Sequence, residues 1–280
     1  MPDARSHLRK LLNGPDMVVA PFVYDCLHAK IAQREGFKAI YMTGFGTAAA
    51  RGFPDLGLLT MNEMIENVRA LARSVDIPVI CDADTGYGEA INVQRTIREY
   101  EDAGAAALHI EDQVWPKRCG FLEGKQVIPL ENMTAKLRAA LDARRDPNLV
   151  IIARTDALAP LGWEEVTRRA RAYRAAGADL IFVDGLKTLE DLKNCARLLS
   201  GLPLLYNGQL LPPSEIAQYG FKVMIHIATL FAIYQRTRDA ISELARTGTI
   251  AGGPGLELLP EITDLLGARE ILETSKKYEV

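Results

Sequence analysis

Short, uninterrupted apolar runs alternate with longer stretches of helical period along this chain. The runs are VVAPF from Val18, AIYMTG from Ala39, PVICDAD from Pro78, ALHIED from Ala107, VIIARTDA from Val150, LIFVDG from Leu180, PLLYNG from Pro203 and VMIHIA from Val223. They make eight candidate strands. Between them MNEMIENVRALARSV, INVQRTIREYEDAG, NMTAKLRAALDARR and WEEVTRRARAYRAAG return apolar residues every three to four positions, the spacing of one helix face. Strands that are apolar on both faces, with helices between them, predict a parallel sheet covered by those helices. REGFKAIYM, DAGAAALHI, AAGADLIFV and QYGFKVMIH share one layout, a helix end, a glycine, two residues and a strand. Gly36, Gly104, Gly177 and Gly220 then take the left-handed position that closes a helix without steric cost. Eight such units predict an α/β fold, a (β/α)8 TIM-type barrel. An open doubly wound sheet is the alternative, and its dinucleotide-binding form is weakened because no GxGxxG follows the first strand.

Two connections exceed simple turns. They span 45–60 (FGTAAARGFPDLGLLT) and 113–130 (QVWPKRCGFLEGKQVIPL), and both follow strand C-termini, the catalytic face of such barrels. After the eighth strand a helix over about 231–246 leads to AGGPG and then to LLPEITDLLGAREILETSKKY, an amphipathic segment the barrel does not need. Its expected role is packing or oligomerisation. No Pro/Gly/Ser-rich linker divides residues 1–280, so a single domain is expected, with the residues after about 255 as an oligomerisation helix.

Composition narrows the function. The 280 residues are 48% hydrophobic and 25% charged, with 33 Lys and Arg against 36 Asp and Glu, a net charge of −3. This is globular composition without the basic field that nucleic acid requires. No apolar run approaches a membrane span, and the polar N-terminus lacks a signal-peptide core. Cys26, Cys81, Cys119 and Cys195 lie too far apart for a zinc site. Cys26, Cys81 and Cys195 fall in helix or strand patterns and are expected to be buried filler. A reduced, cytoplasmic enzyme is the expectation.

The candidate chemistry sits at strand ends. Asp82 and Asp84 are two apart and, on an extended strand, share a face. Buried together they would repel, and a hard cation such as Mg2+ removes the conflict; the alternative is a helix N-cap with a glycine turn at Gly86 and Gly88. His109 and Glu111 share a face in the same way. Glu111 can complete the acidic cluster directly or through water, His109 can be structural or catalytic, and Asp112 points away to hold loop or helix ends. Lys117, Arg118 and Cys119 put two cations beside a thiol, which favours proton transfer, or else form a solvated basic loop. Arg154 can clamp a substrate carboxylate and can pair with Asp82, Asp84 or Asp184. Asp184 and Asn207 can contact substrate or start turns before glycine.

Taken together, YMTGFGTAAARGFPDLG, DADTGYG, LHIEDQ, PKRCG and IIARTDA resemble the isocitrate lyase/phosphoenolpyruvate mutase superfamily in order and spacing, over nearly the whole chain. The resemblance implies a barrel that uses Mg2+, with Mn2+ as an alternative, and a small carboxylate substrate. It also implies a homotetramer that exchanges C-terminal helices. Asp82 resembles the direct metal ligand, with Asp84, Glu111 and Asp55 acting through water. Thr43, Gly44 and Phe45 fall where the family binds a carboxylate or oxyanion. Tyr41, Asp55, Gly120, Phe121, Arg154, Asp184 and Asn207 complete the substrate-binding set. Lys117, Arg118 and Cys119 match the gating loop of the lyase branch, with Cys119 exchanging a proton with an enolate-type intermediate.

This chain departs from that branch in reading KRCGF for KRCGH, at Phe121, and in having Asp184 where glutamate is common. Its strand-seven loop is compact, and it has His226-Ile227 where Tyr-Pro is frequent. The expected activity is C–C cleavage of a 2-hydroxy or 2-methylmalate-like dicarboxylate. Oxaloacetate decarboxylation or hydrolysis and carboxyphosphonoenolpyruvate mutase-like chemistry are the alternatives. A catalytically inactive binding protein is disfavoured by the intact acidic cluster.

Overall fold

In the computed structural model, which describes residues 4–120 and 122–278, eight parallel strands close into a barrel in sequence order. They are β1 (Val18–Val23), β2 (Ile40–Met42), β3 (Val79–Asp82), β4 (Ala107–Glu111), β5 (Val150–Thr155), β6 (Leu180–Val183), β7 (Leu204–Asn207) and β8 (Phe221–His226). The closing pair is β1 with β8, in register from Val18 and Val223. The open doubly wound alternative is thereby excluded.

One apolar cluster fills the barrel. Val18, Ala20, Phe22, Tyr41, Ile80, Ile152, Phe182, Leu205, Val223 and Ile225 point inward, and a second cluster of alternate strand residues meets the surrounding helices. The helices are α1 (Ala4–Asn13), α2 (Cys26–Arg34), α3 (Gly44–Ala50), α4 (Met61–Ser74), α5 (Ala90–Ala103), α6 (Leu130–Ala143), α7 (Leu158–Ala175), α8 (Leu189–Leu198), α9 (Pro213–Ala217) and α10 (Ala228–Thr247). A short 3-10 turn, then α11 (Leu259–Leu265) and α12 (Ala268–Lys276), follow. The helix starts are written locally: Thr60 and Glu63 form a reciprocal capping box on α4, and Thr188 and Asp191 another on α8. Gly36, Gly104, Gly177 and Gly220 all take positive φ, between 84° and 109°, as the repeated layout requires.

Four features add to or depart from the sequence reading. The polar N-terminus forms α1, whose buried Leu8 joins the barrel interior with Leu11 and Leu12, while Arg9 pairs with Asp179. The 45–60 connection is not structureless: Thr43 caps α3, and its alanines carry the helix to Ala50. The C-terminal segment is two helices, because Gly267 adopts a left-handed conformation (φ 78°) between them. Cys26 is half-buried at the first turn of α2, whereas Cys81 and Cys195 are buried as expected. Among the described residues no helix is long and apolar enough to cross a membrane.

Candidate active site

Register assembles the site. Pairing of β3 with β4 sets Asp82 beside His109, and pairing of β4 with β5 sets Glu111 beside Arg154. All four side chains are buried at the C-terminal mouth of the barrel.

Asp82 accepts hydrogen bonds from Gly44 N–H (3.2 Å) and Asp84 N–H (2.9 Å). Gly44 is the first residue of α3, so Asp82 satisfies one of that helix's open donors, and a Cβ at Gly44 would overlap the carboxylate. The Thr43 hydroxyl accepts from Gly46 N–H (3.2 Å) as the α3 cap. The expected anion donors thus serve Asp82 and the helix start here. Phe45 is half-buried against the barrel-filling cluster, and the Tyr41 hydroxyl lies 2.8 Å from His109 Nε2.

Asp84 does not share a strand face with Asp82. The strand ends at Asp82, and Asp84 takes a left-handed conformation (φ 46°) that turns its carboxylate toward the 113–130 loop. Its Oδ1 stands 2.8 Å from Nζ of the buried Lys117, which also pairs with Asp55. Burial pushes the Asp84 carboxyl up to about 6, aided by Asp82 and Asp55 and opposed by Lys117. Burial also pushes His109 down to about 4, so its imidazole is neutral at pH 7. Burial works against the Asp82 carboxylate too, but His109, Lys117 and Arg154, with the Asp84 N–H, outweigh it and hold that carboxyl below its ordinary range.

A second pole surrounds Arg154. Its guanidinium donates from Nε and Nη2 to Asp156 (2.9 and 3.1 Å), stands 3.2 Å from Glu111 Oε2 and 3.5 Å from Asp184 Oδ1, and lies over the Phe182 ring. Lys125 Nζ donates to Asp156 Oδ1 (2.8 Å) and Asp184 Oδ2 (3.0 Å). Asp156, Lys125 and Gln113 were not foreseen from the sequence. The Gln113 amide donates to Glu111 Oε1 (2.9 Å) and to the Arg118 carbonyl (2.8 Å), tying the loop to β4. Of these three only Asp156 carried a signal, an acid two residues beyond Arg154.

The loop brings some expected residues in and turns one away. Cys119 N–H donates to the Asp55 carbonyl (3.0 Å), which sets the half-buried thiol residue beside the Lys117 pole. Gly120 packs so closely that a Cβ there would overlap Asp184 and meet Arg154. Arg118 is exposed and donates to the Glu123 carbonyl (2.9 Å), so its charge is directed away from the acids and its expected catalytic role is not supported. Phe121 lies outside the described residues. Asn207 ends β7 with a buried Oδ1 that has no hydrogen-bond partner, and no contact among the described residues joins it to the Arg154 pole.

Asp112, expected to point away, does so. Its carboxylate accepts from the Thr155 hydroxyl (2.7 Å), Asp156 N–H (2.9 Å), Arg169 (3.0 Å) and the Tyr173 hydroxyl (2.7 Å). Asp112→Ala would leave the buried Thr155 and Tyr173 hydroxyls and the Asp156 N–H without this acceptor, while Arg169 keeps Glu165 (2.7 Å), and a loss of about 1–3 kcal/mol in a urea melt is expected. A loss under about 1 kcal/mol would show that the network is dispensable.

The carboxylates fit a hard divalent cation. Asp84 Oδ1 and Glu111 Oε2 are buried without a hydrogen bond directed at them, although Lys117 and Arg154 stand near. The donors are oxygens only, the set that Mg2+ and Mn2+ prefer. Among the described residues no three acidic, histidine or cysteine side chains converge tightly enough to hold an ion unaided. Direct coordination by all three of Asp82, Asp84 and Glu111 is therefore not supported; one direct carboxylate with others acting through water is compatible.

The family model described as phosphoenolpyruvate phosphomutase matches residues 8–245. The chain belongs to this family. The family member is 39% identical to the 2,3-dimethylmalate lyase of Eubacterium barkeri over 97% of this chain and 96% of that protein. It is 43% identical to a 2-methylisocitrate lyase of Aeropyrum pernix over 86% of this chain and 80% of that protein. Its fold matches an oxaloacetate acetylhydrolase solved with 3,3-difluorooxalacetate, with a TM-score of 0.93, 36% identity and coverage of 99% and 97% of the two chains. The family member is thus an enzyme of the isocitrate lyase/phosphoenolpyruvate mutase superfamily.

Proposed function

We propose that this enzyme is a Mg2+-dependent carbon–carbon lyase that cleaves a small 2-hydroxy dicarboxylate of the methylmalate type. The observation that carries the reading is the seating of the Cys119 loop: its backbone is bonded to Asp55, and Gly120 is packed against Arg154 and Asp184. A thiol, a guanidinium and an acidic group thereby border one space. Full-length similarity to a 2,3-dimethylmalate lyase supports the substrate class.

Arg154 binds one substrate carboxylate, exchanging part of its pairing with Glu111 and Asp184 for it. The substrate hydroxyl gives its proton to a carboxylate base of the acidic group. The C–C bond then breaks, leaving a 2-oxo acid and an electron pair on the carbon next to the second carboxylate. Cys119 protonates that carbon. Asp82, with Asp84, Glu111 and Asp55 nearby, would hold a Mg2+ or Mn2+ ion, which would supply Lewis-acid stabilisation of charge on oxygen.

The solved oxaloacetate acetylhydrolase favours a second reading, hydrolysis or decarboxylation of oxaloacetate on the same acids and Arg154. Offering 2,3-dimethylmalate, 2-methylisocitrate, oxaloacetate and phosphonopyruvate, with Mg2+ and with EDTA, separates the two. The lyase reading expects a 2-oxo acid from 2,3-dimethylmalate as the main turnover; turnover of oxaloacetate alone would overturn it.

Phe121 bears on the same choice. Its ring cannot pair with a third substrate carboxylate, so leaving that group unmatched costs about 1–3 kcal/mol. Phe121→His is expected to raise kcat/KM for 2-methylisocitrate by roughly tenfold or more. A parent enzyme that already cleaves 2-methylisocitrate at roughly 10 per second would refute this role.

Assembly follows from the C-terminal surface. Tyr234 on α10 is 66% exposed and, with Phe45 and Phe231, lines an apolar groove of about 630 Å3 between α3 and α10; beyond it Leu256 is 85% exposed and Ile271 67%. Such apolar surface seeks cover, which supports a homotetramer that exchanges these helices. Light scattering is expected to give a tetramer for the full chain and a smaller species after deletion of 256–280; a full-length monomer would contradict it.

A further inference from the structure

We propose that Lys125 is a positioning residue that fastens the 113–130 loop, and with it Cys119, over the site. It does so by tying the Gly120 carbonyl to Asp156 and Asp184. The proposal rests on the reading of Cys119 as proton donor, and it names the group that holds the thiol in place.

Lys125 has no part in the chemistry described above, yet its side chain is only 4% exposed. Burying an ammonium is costly unless every proton is matched. Here all three are: Asp156 Oδ1 at 2.8 Å, Asp184 Oδ2 at 3.0 Å and the Gly120 carbonyl at 3.0 Å. Two of these acceptors belong to the barrel and one to the loop, immediately after Cys119. The ammonium therefore joins the loop to the barrel. Asp156 also accepts from Arg154 Nε and Nη2, and this two-point pair holds the guanidinium without Lys125.

The rest of the loop supports this division. Cys119 N–H on the Asp55 carbonyl and the Gln113 bonds to Arg118 fix the stretch before Gly120. Among the described residues from Gly120 to Lys125, the Lys125 ammonium is the hydrogen-bonded tie to the ends of β5 and β6. Gly120 leaves no room for a side chain against Asp184, so the loop backbone there packs directly on the acid that Lys125 also binds. The pKa of Lys125 supports the ion pairs: burial alone would lower it, but Asp184 and Asp156 raise it overall.

The test is peptide-resolved iodoacetamide labelling of the full chain, with Cys26, half-buried on α2 and outside the loop, as internal reference. Lys125→Met is expected to raise the Cys119 labelling rate roughly tenfold relative to Cys26, as local opening becomes easier. Lys125→Arg is expected to restore most of the protection, since its guanidinium spans the same acceptors. Cleavage of 2,3-dimethylmalate should lose kcat while KM changes little, the mark of a misplaced group that acts on the transition state. Asp184→Ala removes one anchor and should move Cys119 labelling in the same direction, which keeps the test open if Lys125→Met fails to fold. Unchanged Cys119 labelling in these variants would overturn the proposal. Faster labelling in a protein that cleaves none of the four acids would uphold it and overturn the lyase reading.

Discussion

Cys119→Ser is expected to lower C–C cleavage of 2,3-dimethylmalate by roughly 10²- to 10⁴-fold, the usual contribution of a positioned proton donor. The substitution keeps the side chain's size and leaves the Cys119 N–H bond to Asp55 in place, so the loop should still seat. What changes is acidity: a hydroxyl gives up a proton to carbon far less readily than a thiol. Oxaloacetate decarboxylation asks for Arg154 and the acidic group but less of the thiol, so it should fall much less. Both activities measured on one preparation check this. Equal losses would mean that Cys119 shapes the loop and does not deliver the proton.

The second large effect is at Asp82. Asp82→Ala is expected to cost about 10³-fold or more in turnover and to abolish its rescue by Mg2+ after EDTA treatment. Because Asp82 also accepts from Gly44 and Asp84 N–H, alanine removes two backbone ties together with the charge. Asp82→Asn keeps one acceptor oxygen and separates the two causes. Mn2+ binding followed by electron paramagnetic resonance gives a readout independent of turnover: tight binding by the parent and loss in both variants is expected. Full activity in EDTA and in Asp82→Ala would remove the metal from the account.

Much of this was legible in the chain because a buried parallel strand is apolar throughout and its ends are marked by polar residues. The eight runs, the four left-handed glycines and the outward turn of Asp112 all follow from period and parity. Alternation failed where the strand stopped: Asp84 lies two residues past Asp82, but in a left-handed turn, so its carboxylate reaches Lys117 for a different reason than parity. The α1 helix was hidden by its charge, since only Leu8, Leu11 and Leu12 of its ten residues face the core. α3 was hidden by its glycines, which sit where Asp82 and Tyr24 approach too closely for any side chain. The partners of Arg154 were the hardest to see. Asp156 and Lys125 meet only because the loop folds back across β5 and β6, and no local pattern records that meeting.

The most direct test of the central claim is cleavage of 2,3-dimethylmalate in D2O, with Mg2+ present, followed by nuclear magnetic resonance. The lyase account predicts pyruvate and propionate in equal amounts, with one deuterium on the carbon next to the propionate carboxylate, and no products in EDTA. Untouched 2,3-dimethylmalate, alongside oxaloacetate converted to oxalate and acetate by the same preparation, would contradict it.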